Sequence, residues 1–259
     1  MTQQVSFDFT TSAADALARM IEAKDPYTAG HTWRVANYGQ ILAAAMDYPA
    51  EKVEAVLQAG TLHDIGKIFL PDELLTKQGK LSAQEIDLLR RHPADGHALL
   101  RDVPGLEDVL DVVLMHHEAY DGSGYPRGLA GEAIPHQARL FAIVDAFDAM
   151  TSRRCYRPAM SVGEAVAEIE RQLGRQFDPH IGATFIELCR EGLLDHIVGY
   201  SDYGVKVGCC ANCGPVLEMH NGGRLREAVA CPRCGTLHQV TCSPDGNLLL
   251  RPAAPALAV

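Results

Sequence analysis

The side chains best suited to chemistry in this 259-residue chain are histidines and aspartates: His63-Asp64, His116-His117 and Asp145 with Asp148, joined by His31 and His92. Neutral imidazole and carboxylate oxygen are natural ligands of a divalent transition metal. Buried without partners, the same groups would carry a heavy desolvation cost. Whether they meet depends on the elements that carry them.

Those elements read as helices separated by turns. Thr11 or Ser12 is expected to cap a helix carrying Leu17, Met20 and Ile21 that ends near Asp25-Pro26. A second helix presents Val35, Tyr38, Leu42 and Ala45, and a third follows Pro49 with Val53, Val56, Leu57 and Gly60 and is stopped by Gly66. Ser82-x-x-Glu85 and Ser161-x-x-Glu164 are capping boxes. Leu106–Glu118 and Pro135–Ser152 are strongly periodic, and Asp178-Pro179 opens a last helix.

On this scaffold His31 lies four residues before Val35, on the inward face. His63 and Asp64 follow Val56 and Gly60 at helical spacing, and His92 precedes Pro93 at a helix end. His116-His117 end the helix bearing Val109 and Val113, while Asp145 and Asp148 share a face with Phe141. Several helices thus aim ligand-type residues at one core, which a metal would satisfy. An isolated inward histidine is more often a hydrogen-bonded core residue. His97, His136, His180, His196, His220 and His238 are read that way.

The segment His63-Asp64-Ile65-Gly66-Lys67, followed by His116-His117-Glu118-Ala119-Tyr120-Asp121-Gly122-Ser123-Gly124-Tyr125-Pro126, resembles the HD-GYP family. The likeness continues through Asp145-Ala146-Phe147-Asp148-Ala149-Met150-Thr151-Ser152 and Arg154-Cys155-Tyr156-Arg157, from about Asp25 to Phe185. It implies a mainly α, HD-type helical bundle that hydrolyses cyclic di-GMP with two or three metals, often iron. It implies the ligand set His31, His63, Asp64, His92, His116, His117 and Asp145, with Asp64 bridging two metals. Lys67 would reach the phosphate and Asp25 would stand near the attacking water. Tyr125, Asp148, Arg154 and Arg157 would bind substrate, Tyr125 by stacking and the arginines by planar guanidinium contacts. The Asp121–Pro126 loop is read as glycine-rich because backbone close to a ligand leaves no room for side chains.

Two departures bear on this. Tyr27 stands where family members with a third metal have Glu, so a dinuclear site is expected, with iron favoured and manganese as the other candidate. Cys155 replaces the proline of the family's Arg-Pro-Tyr-Arg, which removes no ligand.

Beyond residue 200 the composition changes. Of 8 cysteines, Cys209, Cys210, Cys213, Cys231, Cys234 and Cys242 lie there, and charge is near balance. The domains are therefore read as 1–200 and 201–259, with a frayed end after Arg251. Val216–Met219, Arg226–Ala230, Leu237–Thr241 and Leu248–Leu250 read as short strands. A piece this small needs a staple to fold. Cys210-x-x-Cys213 and Cys231-x-x-Cys234 resemble a zinc ribbon, a small β module in which four thiolates hold one structural Zn²⁺.

Lys+Arg 23 against Asp+Glu 33 gives a net charge of -10, which speaks against nonspecific nucleic-acid or anionic-membrane binding. No apolar stretch approaches the roughly 18 residues that span a bilayer. The start lacks the basic flank and apolar run of a signal peptide, so a cytoplasmic location is expected. Three functions remain open at this stage. They are a cyclic di-GMP phosphodiesterase, a receptor or adaptor that binds the messenger without turnover and signals through the zinc ribbon, and an HD hydrolase of another cyclic dinucleotide. A protein partner through the ribbon and a homodimer are the expected associations.

Overall fold

The computed structural model describes residues 9–25, 30–77, 79–152, 159–201, 205–210, 214–219, 228–230, 235–242 and 248–252. Ten helices run through the described residues before Tyr200: α1 Phe9–Lys24, α2 His31–Ala45, α3 Ala50–Leu62, α4 Asp72–Leu75, α5 Ala83–Leu89, α6 His92–Leu100, α7 Glu107–Met115, α8 His136–Thr151, α9 Val162–Arg171 and α10 Pro179–Arg190. Six strands follow: β1 Tyr200–Ser201, β2 Val205–Cys210, β3 Gly214–Met219, β4 Ala228–Ala230, β5 Leu237–Cys242 and β6 Leu248–Pro252. They form two antiparallel three-stranded sheets in the orders β1-β2-β3 and β4-β5-β6. Among the described residues no helix is long and apolar enough to cross a membrane.

The core is made where α2 packs on α3 and α8, and where α10 closes over α8 and α9. Val35, Tyr38 and Leu42 of α2 meet Phe141, Val144 and Phe147 of α8 and Phe185 of α10, all fully or almost fully buried. At roughly 1.5–3 kcal/mol for each large apolar side chain, this burial is what fixes the helices carrying the site. Both capping boxes form: Ser82 and Ser161 accept from the backbone N–H of Glu85 and Glu164, whose carboxylates reach back. Asp178 caps α10, accepting from the N–H of His180 at 2.8 Å and Ile181 at 3.2 Å.

Three expectations are corrected. Helix α1 starts at Phe9, ahead of Thr11, and Met20 is 58% exposed rather than inward. Gly66 does not stop α3. That helix ends at Leu62, and Gly66 sits within a following 3-10 turn, Ile65–Phe69. A Cβ on Gly66 would lie 1.9 Å from the His92 carbonyl oxygen and 2.6 Å from the Gly96 nitrogen. The glycine is needed where the turn crosses α6, and that crossing sets Asp64 beside His92. In the tail, β2 was not foreseen, because only Val205 and Val207 alternate before Gly208 and the cysteine pair.

Candidate metal centre

Four of the five candidate histidines are fixed by one ring nitrogen so that the other faces inward. His63 Nδ1–H donates to the Gly60 carbonyl at 2.7 Å, one turn back along α3. His92, first residue of α6, donates to Leu89 O at 2.8 Å. His116, just past α7, donates to Val112 O at 3.0 Å. His31, first residue of α2, directs Nδ1 to Asp148 Oδ2 at 2.8 Å. With the proton held on Nδ1, Nε2 presents a lone pair.

Those lone pairs point at one another. His31 Nε2 and His63 Nε2 are 3.3 Å apart, and His92 Nε2 and His116 Nε2 are 3.4 Å apart. Two acceptors at such distances make no hydrogen bond, whereas a shared cation satisfies both. Two clusters result, His31–His63–Asp145 and His92–His116–His117, each with ligand atoms within 4.8 Å of one another. Asp64 stands between them. Its Oδ1 is 3.2 Å from His92 Nε2 and 4.0 Å from His116 Nε2. Its Oδ2 is 3.5 Å from His63 Nε2 and 3.8 Å from His31 Nε2. Asp145 Oδ1 adds a carboxylate 3.4 Å from His31 Nε2. The donor set fits two divalent ions.

The electrostatics agree. Burial lowers the pKa of His63 and, much further, of His116, and brings His117 down to about 4, so these rings stay neutral and ready to ligate. His31 goes the other way: burial opposes its charge, but the bond to Asp148 and the charges of Asp148, Asp145 and Asp64 outweigh it. The field that favours a proton there favours a cation. Asp64 is held well below the carboxylate range: burial opposes its charge, but the Lys67 ammonium beside it outweighs that.

Lys67 reaches Asp64 Oδ2 at 2.7 Å and Asp25 Oδ2 at 3.4 Å, and Asp25 is 6% exposed. All three line a cavity of about 400 Å³ above the clusters, walled by Leu74, Leu75 and Leu89. Tyr125 lines it too, with its ring stacked on His117 at 4.9 Å between centroids and the Arg90 guanidinium 5.1 Å over it. The structure therefore brings together His31, His63, Asp64, His92, His116, His117, Asp145, Lys67, Asp25 and Tyr125. Arg154, Arg157, Tyr27, Cys213, Cys231 and Cys234 lie outside the described residues, and of Cys210 only its strand position is described.

Asp148 makes contacts that the sequence reading did not anticipate. Only 1% exposed, it accepts from Arg34 Nε at 2.6 Å and Nη2 at 3.0 Å, and its Oδ2 is shared with His31 and Ser152. Both oxygens are engaged within the protein, and the residue lines the cavity beside His31. Gly124 also has a reason of its own to be glycine. A Cβ on Gly124 would fall 2.2 Å from Ala119 N and 2.5 Å from Glu118 Cα, so the loop's own backbone excludes it.

Two residues escaped the sequence reading. Glu118 is buried and accepts from Arg127 N at 2.7 Å and Leu129 N at 3.1 Å, pinning the loop after Tyr125. Arg34 is the partner of Asp148. The available signals were a glutamate directly after the paired histidines and an arginine one turn from His31.

The sequence model described as HD domain matches residues 15–181. The chain is 42% identical over 165 residues to the cyclic di-GMP phosphodiesterase response regulator RpfG of Xanthomonas campestris, covering 63% of this chain and 44% of that protein. It is 37% identical over 219 residues to the cyclic di-GMP phosphodiesterase PA4108 of Pseudomonas aeruginosa, covering 83% of this chain and 50% of that one. It is 39% identical over 164 residues to the 3'3'-cGAMP-specific phosphodiesterase 1 of Vibrio cholerae, covering 63% and 38%. The chain thus spans half or less of the length of these relatives. Among solved structures, the V. cholerae cyclic GMP-AMP phosphodiesterase V-cGAP3 superposes with a TM-score of 0.54 at 18% identity, over 73% of this chain and 52% of that one. The HD domain of the L. monocytogenes phosphodiesterase PgpH, in complex with cyclic-di-AMP, gives 0.51 at 18% identity, over 69% and 95%. At that identity the structures speak for the shared helical fold.

Proposed function

The chain belongs to the HD domain family, and on that premise we propose that it is a metal-dependent phosphodiesterase of the HD-GYP type that opens cyclic di-GMP. The observation that carries the reading is Asp64, with one carboxylate oxygen toward each histidine cluster. His31, His63 and Asp145 would hold one ion, His92, His116 and His117 the second, and Asp64 both, with iron favoured over manganese. Bound there, the ions supply Lewis acidity toward the phosphate and lower the pKa of water.

The chain's own groups do the rest. Hydrolysis forms a P–O bond to water and breaks the ester P–O bond, and the departing oxygen takes a proton. Lys67, kept charged because Asp64 and Asp25 outweigh its burial, places positive charge where phosphate charge grows. Asp25 lies within reach of Lys67 at the cavity wall and is assigned to orient the attacking water. The leucine wall and Tyr125 give apolar surface for a nucleobase, and Arg154 and Arg157 are assigned to guanine and phosphate. Lys67→Ala is expected to lower kcat by about 10²-fold with little change in KM, because its charge matters most in the transition state. Arg154→Ala is expected to raise KM instead. Steady-state kinetics on both variants checks this, and equal changes in both constants for both variants would contradict it.

The relatives named for cyclic di-GMP and for 3'3'-cGAMP make the choice of base the question to test. Anaerobically purified chain, offered cyclic di-GMP, 3'3'-cGAMP and cyclic di-AMP in parallel, is expected to linearise cyclic di-GMP fastest, read by chromatography of products. Faster cleavage of 3'3'-cGAMP would reassign the substrate, and binding without cleavage would make the protein a receptor.

For the tail, the reading is a zinc ribbon held by Cys210, Cys213, Cys231 and Cys234. The strand pairing supports it: Cys210 pairs with Gly214 where β2 turns into β3, and Ala230, next to Cys231, pairs with Leu237. Each C-x-x-C thus lies, along the chain, between two strands paired antiparallel or at their edge. Serine at all four positions is expected to remove one zinc per chain, by metal analysis, and to leave the helical-domain metals. Unchanged zinc would contradict it.

A further inference from the structure

Arg34 joins two parts of the molecule that the proposed reaction does not itself connect. Its Nε and Nη2 hold Asp148 at 2.6 and 3.0 Å, and Nη2 also reaches Ser152 Oγ at 3.0 Å. Its remaining nitrogen, Nη1, donates to the backbone carbonyl of Tyr200 at 2.8 Å. Tyr200 opens β1, the strand that begins the tail sheets. Asp148 in turn fixes Nδ1 of His31 at 2.8 Å. A continuous line of short, charge-assisted hydrogen bonds therefore runs from the tail backbone to a candidate metal ligand, with Arg34 only 3% exposed.

We propose that Arg34 is a positioning residue through which the Tyr200 carbonyl sets the orientation of Asp148 and His31, so that metal affinity in the His31 cluster depends on how the tail's first strand is seated. The proposal rests on the dinuclear reading above. Guanidinium is suited to this work because its planar fork can hold a carboxylate with two nitrogens and keep a third N–H for a carbonyl on another element. The outer partners of a ligating histidine typically change metal affinity 10- to 100-fold when removed. The His92–His116–His117 cluster is anchored on backbone carbonyls of Leu89, Val112 and Val113, so it lies off this line.

The seat of the Tyr200 carbonyl is a tight turn. Tyr200 N–H donates to Ile197 O at 3.0 Å, and Gly199 between them has φ 78. A proline there cannot adopt that angle, and nothing lies within 4 Å of a Cβ at Gly199, so Gly199→Pro perturbs the turn that seats the carbonyl without driving a Cβ into a neighbour.

The test uses the full chain, stripped by chelator and titrated with Mn²⁺ by calorimetry, with circular dichroism alongside. Wild type is expected to bind two Mn²⁺ in the helical domain. Arg34→Lys, which keeps the charge but not the fork, is expected to weaken one of the two sites by about tenfold or more and leave the second within about twofold. Gly199→Pro, or Gly199→Ala if proline prevents folding, is expected to weaken the same site by several-fold. Variants with native helicity and both sites unchanged overturn the proposal. So does parallel weakening of both sites together with a lower Tm, which is a purely structural effect. Wild type that binds no Mn²⁺ overturns the dinuclear reading itself, and this proposal with it.

Discussion

Asp64→Asn is expected to lower turnover of cyclic di-GMP by roughly 10³-fold or more, about 4 kcal/mol of barrier, with the helical circular dichroism unchanged. Among the described residues the side chain is the one group shown with an oxygen toward each histidine cluster. An amide offers a single weak acceptor oxygen and no charge, so it can serve only one side. The fold should survive, because Lys67 keeps Asp25 as a partner and the amide fills the same volume. Metal analysis of the same variant should show fewer ions per chain. A variant that keeps full metal content and turnover within tenfold of wild type would contradict the bridging role.

The second large effect is on stability. Gly66→Ala is expected to cost about 3 kcal/mol or more, lowering Tm by roughly 6–12 °C for a domain of this size. The atoms in the way are the backbone of His92 and Gly96, 1.9 and 2.6 Å from the added carbon, and backbone cannot swing aside as a side-chain tip can. Because the same contact seats Asp64 beside His92, metal affinity should fall with stability. Gly163→Ala in α9 is the control: nothing lies within 4 Å of the new carbon, and alanine is the better helix former. It should leave Tm unchanged or slightly raised. Thermal unfolding of both variants decides, and a Gly66→Ala chain as stable as wild type would show that the turn does not pack on α6 as described.

What was legible in the sequence follows from periodicity and side-chain chemistry. His31, His63 and Asp145 sat on apolar helical faces, so their inward direction followed from spacing, and the family likeness supplied the grouping. The capping boxes at Ser82 and Ser161 were legible because their hydrogen bonds are local. What escaped was tertiary. Arg34 meets Asp148 from a different helix, across more than a hundred residues, and its place one turn from His31 does not by itself name that partner. Glu118 works by pinning backbone nine and eleven residues on, which has no periodic signature. Gly66 looked like a helix stop because glycine ends helices often. The α6 backbone that demands it lies far along the chain.

The central claim, that cyclic dinucleotide hydrolysis here needs two ions bridged by Asp64, is tested most directly by one titration. Chelator-stripped full chain, handled without oxygen, is given Mn²⁺ in measured equivalents while conversion of cyclic di-GMP to the linear dinucleotide is followed by chromatography. The predicted result is negligible turnover at zero and one equivalent in the helical domain, a steep rise as the second is taken up, and no such rise for Asp64→Asn. Turnover in the stripped chain, or full turnover at a single equivalent, would contradict it.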